Sequence, residues 1–248
     1  MKILICGKGG SGKSTIVTLL AKEIAGRGNK VLVIDSDESN IGLHSRLGIQ
    51  KPEDFMNYFG GKKVLFERTK EMKDKWTLDN LPEDYLTGKG NIQLLSVGKI
   101  YQFGEGCACP INALSSKFLE ILDLGDREYL IVDTDAGIEH FGRGVEKGVD
   151  ILLSIIDPSR ESILLAEKVS ELGRQVNKPV YYILNRIADQ ETEDILLNSI
   201  DKEKVIAVIP ENKQLFISGL TGDEFTMDIS GIREIADVLE SKKKIGVE

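Results

Sequence analysis

The sequence predicts an α/β protein built on a doubly wound, mainly parallel sheet with helices on both faces. Three observations predict it. Short apolar runs alternate with segments of helical periodicity along the 248 residues, the pattern of strands joined by helical crossovers. A glycine-rich turn, Gly7-Lys8-Gly9-Gly10-Ser11-Gly12-Lys13-Ser14-Thr15, joins the first apolar run to the first helical pattern. Two further apolar runs end in acids, at Asp35 and Asp133, and in open α/β sheets ligands gather at the carboxyl ends of strands.

The elements follow in order. Ile3-Leu4-Ile5-Cys6 is the first strand, and a helix over roughly 14–27 is closed by Gly26 and Gly28. Residues 30–34 form a second buried strand ending in Asp35-Ser36-Asp37. Residues 51–90 mix charges with Phe55, Tyr58, Phe59, Phe66 and Trp76 and lack a sheet pattern; helices and loops covering one side are expected there. The mixed charges over 68–75 suit a solvated helical face. A strand at 91–97 precedes a glycine-rich segment, 98–106, and then Cys107-Ala108-Cys109-Pro110. Proline's fixed φ suits the first helical position, so a helix starts near Pro110 and runs through Leu122. Strands are expected at 128–133, 151–157, 180–185 and 205–210, and helices at about 160–175, 190–199 and 229–241.

Composition narrows the function. The chain is 41% hydrophobic and 29% charged, ordinary for a globular protein, and long enough for one domain over 1–248 with a sizeable core. A net charge of −8 disfavours a nucleic-acid-binding surface. No stretch approaches eighteen apolar residues, no apolar leader follows Met1, and the tail from Ser241 lacks a membrane-binding face. A cytoplasmic protein with no membrane partner is the expectation. Three cysteines make no disulfide framework; Cys107 and Cys109, one residue apart, point to metal or redox chemistry.

Strand, glycine-rich turn and helix is the setting in which G-x-x-x-x-G-K-[ST] binds phosphate. Glycines let successive N–H groups turn inward, and the helix N-terminus adds partial positive charge at the same place. Lys13 then reaches the β- and γ-phosphates, Ser14 coordinates magnesium, and Thr15 supports the α-phosphate end. The extra lysine, Lys8, gives the form K-G-G-x-G-K-[ST]. That form resembles the deviant Walker A class of P-loop ATPases, which includes ParA, MinD, the arsenite pump ATPase, nitrogenase iron protein and metallochaperone ATPases. The resemblance implies that Lys8 crosses a dimer interface to the partner's nucleotide. It implies that Asp37 orients the attacking water, while Asp35 and Asp133 hold magnesium through its waters. It also places Gly137 N–H on the γ-phosphate, Asn185 on the adenine ring, and Pro210 and Asn212 around that ring. Helix caps or strand-end turns are the structural alternative for Asp37 and Asp133. Glu38 and Asp135 stand where the class often has proline. Position 188 is alanine, not the acid of a guanine pocket, which favours ATP.

A C-x-C pair supplies two thiolates where structural zinc takes four ligands, so a two-fold dimer would complete the site. Buried or merely reducible thiols are the alternative. Cys6 has no companion and reads as core; His44 and His140 read as loop packing. The combination of K-G-G-S-G-K-S-T, C-x-C-P and D-x-x-A-G-I-E-H with Arg143-Gly144 resembles the CooC-type ATPases over essentially the whole chain. That resemblance implies an ATP-dependent homodimer sharing one nickel or zinc ion between two Cys107/Cys109 pairs. Its client would be a nickel enzyme such as carbon monoxide dehydrogenase. A MinD/ParA-like positioning ATPase and an iron–sulfur-carrying ATPase related to nitrogenase iron protein are the alternatives.

Overall fold

The computed structural model describes residues 1–73, 75–99, 109–138 and 144–246. Eight strands form one sheet: β1 (Lys2–Gly7), β2 (Lys30–Asp35), β3 (Thr87–Lys89), β4 (Ile92–Ser96), β5 (Glu128–Asp133), β6 (Ile151–Ile156), β7 (Val180–Ile187) and β8 (Val205–Pro210). Their order is β3-β4-β2-β5-β1-β6-β7-β8. Every pairing is parallel except β3 with β4, which is antiparallel. The doubly wound, mainly parallel sheet read from the sequence is present.

The helices are α1 (Lys13–Gly26), α2 (Leu43–Leu47), α3 (Lys62–Glu71), α4 (Cys109–Ile121), α5 (Arg160–Gln175), α6 (Gln190–Ser199), α7 (Lys213–Thr221) and α8 (Ser230–Ile245). Strand side chains alternate between the two faces, and the interiors of the central strands are apolar on both, Ser154 of β6 excepted, because helices cover both. Ile3 and Ile5 of β1 pack with α1 and α8 on one face. Leu4 and Cys6 pack on the other, with Ile111 and Phe118 of α4 and Val169 of α5.

Residues 51–90 do cover one side with helices and loops, around an aromatic cluster. Phe55 lies 5.3 Å from the Phe118 ring and 5.7 Å from Trp76. The strand β3, too short and polar to read from sequence, extends the sheet edge there. Within the charge run, α3 ends at Glu71, and Arg68 and Glu71 form an exposed ion pair. The last helix runs four residues beyond its expected end, to Ile245. The helices α2 and α7 were not expected at all; each is short, and α7 buries no residue.

The topology fixes where ligands go. β1 lies between β5 and β6, so the chain leaves it toward β2 on one side and later resumes at β6 on the other. That reversal opens a crevice at the carboxyl end of β1, next to the turn carrying Gly7 to Gly12.

Candidate functional site

The turn between β1 and α1 needs its glycines. Gly7 has φ 152°, and a Cβ there would stand 2.8 Å from Ile155 O and 2.9 Å from Ser11 Oγ. Gly12 has φ 102°, and a Cβ would collide with the Asn185 amide. Gly9 and Gly10 are exposed at the rim, whereas Ser11 is buried. No side chain caps the start of α1 and no acid lies in its first turn, so its first N–H groups and its partial positive charge face the crevice. Lys13 is buried, its Nζ donating to Gly7 O (3.2 Å) and Lys8 O (3.3 Å).

The acids expected at strand ends converge on this turn. Asp35 ends β2 and Asp133 ends β5, and the two are paired across the sheet. Burial pushes the Asp133 carboxyl up to about 6, opposed by the Ser14 hydroxyl and then by Lys13. Burial likewise raises Asp35 above the usual carboxylate range, opposed by Lys99. Lys99 is a candidate site residue that sequence reasoning missed. Only 2% exposed, it directs Nζ to Asp35 Oδ2 (2.7 Å) and to the Asp37 carbonyl (2.5 Å). Its sequence signal is a lone cation three residues after the buried strand β4.

Asp37 closes a turn, its Oδ1 accepting from Ser39 N (2.9 Å), Ser39 Oγ (2.6 Å) and Asn40 N (3.2 Å). The strand-end turn weighed for it in the sequence is therefore present. Asn40, also missed, sends its amide Nδ2 to Ser14 Oγ (3.0 Å) and Asp133 Oδ2 (3.2 Å). Gly137 donates its N–H to Gly7 O at 3.2 Å. Lys8 turns toward β6 within its own chain: Nζ reaches Ser159 Oγ (2.8 Å) and Asp157 Oδ2 (3.3 Å). Burial would raise the Asp157 carboxyl, but hydrogen bonds from Ser162 and Ser159, with Lys8, hold it below the usual range.

A cavity of about 240 Å³ adjoins the turn, lined by Gly12, Thr15, Asn185, Pro210, Asn212 and Phe216 among others. Asn185 donates Nδ2 to Ser11 O (2.7 Å), so its amide braces the turn as well as lining the cavity. The Asn212 side chain is committed to capping α7, where Oδ1 accepts from Gln214 N and Leu215 N. That engages the amide oxygen, so Asn212 would meet a ligand through its Nδ2 or its backbone groups.

Cys109 is exposed at the start of α4. Cys107, His140 and Arg143 lie outside the described residues. Among the described residues, no group of three or more His, Cys, Asp and Glu side chains is arranged to hold a metal ion. One serine ties α4 to the crevice and the next ties it to the segment before β6. Ser115 Oγ is 2.8 Å from Ser36 Oγ, and Ser116 Oγ donates to Gly144 O at 3.1 Å. No helix of the described residues is long and apolar enough to cross a membrane.

A parallel sheet with a glycine-lined phosphate turn at its reversal point, faced by strand-end acids, defines a P-loop nucleotide-binding protein. The family model of the CobQ/CobB/MinD/ParA nucleotide binding domain matches residues 2–225. An uncharacterised ATP-binding protein of Methanocaldococcus jannaschii is 51% identical, covering 96% of this chain and 99% of its own. The carbon monoxide dehydrogenase accessory protein CooC of Rhodospirillum rubrum is 32% identical, covering 85% of this chain and 83% of its own. Among solved structures, the septum site-determining protein MinD of Pyrococcus horikoshii, complexed with Mg-ADP, superposes with a TM-score of 0.71 at 19% identity. That superposition covers 98% of this chain and 97% of MinD. The chain belongs to the CobQ/CobB/MinD/ParA nucleotide-binding family.

Proposed function

We propose that this chain is an ATP-hydrolysing metallochaperone, a single domain over 1–248 that dimerises and carries nickel or zinc to a nickel enzyme. The carbon monoxide dehydrogenase maturation role of CooC-type proteins is the nearest model for it. The observation that carries the reading is the attachment of α4, which opens on exposed Cys109, to Ser36, which stands between Asp35 and Asp37. A change at the phosphates thereby has a mechanical route to the cysteine-bearing helix. The CooC relative supports the same reading. The fold likeness to MinD fits a positioning ATPase equally, but that alternative gives the cysteine pair no task.

The residues present fit a magnesium nucleotide. Asp35 Oδ1, Asp133 Oδ1 and Ser11 Oγ are buried oxygens with no hydrogen-bond partner, and hard oxygens are what magnesium takes. Ser14 would hold the ion, with Asp35 and Asp133 through its waters, and the ion would offset phosphate charge. Lys13 exchanges the Gly7 and Lys8 carbonyls for the β- and γ-phosphates. Asp37 orients the attacking water by hydrogen bond. The Gly137 N–H passes from Gly7 O to the γ-phosphate, so hydrolysis frees its loop. Lys8 acts on the nucleotide of a partner subunit. Asn185, Pro210 and Asn212 enclose adenine in the adjoining cavity.

The cargo ion is the substrate of this cycle. Cys107 and Cys109 from each of two protomers would supply four thiolates, square-planar for nickel or tetrahedral for zinc. Nucleotide and metal affinity are then linked through the dimer. Anaerobic equilibrium dialysis with nickel and zinc, on the wild type, C107S and C109S, tests this. Each variant is expected to lose the metal; unchanged binding refutes the metallochaperone reading, as does a protein that remains monomeric with both ATP and metal.

A further inference from the structure

Asn40 lies in the turn between β2 and α2, and both ends of its side-chain amide and its backbone N–H are engaged. Its Nδ2 donates to Ser14 Oγ and Asp133 Oδ2, its Oδ1 accepts from Gly42 N (3.0 Å), and its backbone N–H goes to Asp37 Oδ1. The amide thus bridges the hydroxyl of the first turn of α1 and the carboxylate that ends β5. These are two of the groups proposed to hold magnesium, and a role for Asn40 at the ion depends on that proposal.

An amide hydrogen and a divalent cation compete for such oxygens. Magnesium demands a near-octahedral oxygen shell at about 2.0–2.1 Å and keeps several of its waters. A shell of that size between Ser14 and Asp133 leaves no room for an amide donating to both from about 3 Å. We infer that Asn40 is a displaceable occupant of the magnesium site. Magnesium nucleotide expels its amide, and the expulsion resets the turn that carries the Asp37 carboxylate.

The surroundings confine the movement. Lys99 pins the near end, holding the Asp35 carboxylate and the Asp37 carbonyl together. Leu43, fully buried at the start of α2, pins the far end. Between them lie only residues 38–42, with Ser39 and Ile41 exposed. Loss of the Nδ2 bonds therefore acts on a short span. Within it, Asp37 Oδ1 accepts from the N–H groups of Ser39 and Asn40. The cation is thereby sensed by the same turn that aims Asp37, which joins magnesium entry to readiness for hydrolysis.

The test is binding of a fluorescent ADP analogue to the full chain, in excess magnesium and in excess EDTA. Removing a competitor that makes two hydrogen bonds raises the magnesium-dependent gain in affinity about tenfold. That gain is expected for Asn40→Ala, with affinity in EDTA within about twofold of wild type. Asn40→Ser guards against a collapsed turn, because a serine can still accept from Gly42 N but is too short to bridge Ser14 and Asp133. It is expected to behave as Asn40→Ala does. Hydrogen exchange at residues 38–42 is expected to change when magnesium joins ADP on the wild type, and to stay constant in both variants. A smaller or unchanged magnesium gain in the two variants overturns the inference, since Asn40 would then assist the ion or ignore it. A wild type that shows no magnesium dependence removes the assignment of Ser14 and Asp133, and the inference with it.

Discussion

Lys8 Nζ lies 3.3 Å from Asp157 Oδ2, so the lysine proposed to serve a partner subunit is held by an acid of its own chain. Ser159 strengthens the hold, accepting from Lys8 at 2.8 Å while donating to Asp157 Oδ1 at 2.8 Å. A pair this accessible is worth about 0.2–1 kcal/mol. Asp157→Asn should release Lys8 and tighten ATP-dependent dimerisation by about two- to fivefold, read by analytical ultracentrifugation. Weaker dimerisation in the variant would show that the contact assists association.

Lys99 and Asp35 form the most deeply buried ion pair of the described residues, with side chains 3% and 7% exposed. Removing one member of such a pair leaves an uncompensated charge, at a cost of about 3–5 kcal/mol. Lys99→Met should lower stability by that amount in urea unfolding. Adding Asp35→Asn should recover most of the loss, since the neutral amide needs no cation. A Lys99→Met protein as stable as wild type would dismiss the pair as an energetic feature.

Asp133 gives a pH signature in the presence of a chelator. Its carboxyl moves from an ordinary 3.8 up to about 6 because it is buried. A carboxyl raised by folding favours the folded state while it keeps its proton. That contribution is complete below about 4 and is lost as pH rises through about 6. Asp133→Asn stays neutral throughout, so its Tm should gain on wild type between about pH 4 and 7 and run parallel above. Calorimetry in EDTA checks this; a difference that shrinks over the same interval would exclude burial as the cause.

Cys6 and Cys109 should separate by reactivity. Burial pushes the Cys6 thiol up to about 12, and its Sγ donates to Leu153 O. At pH 8 its reactive thiolate is roughly one part in ten thousand. Iodoacetamide on the native protein should spare Cys6 until denaturant is added, with Cys109 alkylated first. Peptide mass spectrometry reads the order directly. Early labelling of Cys6 would place β1 at the surface.

Much of the crevice was legible because its residues sit at fixed offsets from recognisable punctuation. Gly7, Gly12, Lys13 and Ser14 share one short motif, and Asp35 and Asp133 each end an unbroken apolar run. Strand positions followed from runs such as 151–156, whose residues are buried throughout. Lys99, Asn40 and Asp157 were not legible, because each acquires meaning only from a neighbour distant in the chain, or from the far side of a turn. Lys99 meets Asp35 across two adjacent strands, and Lys8 meets Asp157 across β1 and β6. The strand β3 was hidden for another reason: three residues, two of them exposed, carry no periodicity to detect.

Both margins of the sheet are blunted. One is the three-residue β3, whose Lys89 is tied to Glu224 at 2.9 Å; the other, β8, ends in Pro210, which has no N–H to give. Short, charged or proline-tipped borders discourage strand-to-strand docking between molecules. Self-assembly by extending the ladder is therefore discouraged, which favours partners that recognise side chains on the surface. Contacts of that kind are reversible, which suits the carrier role proposed above.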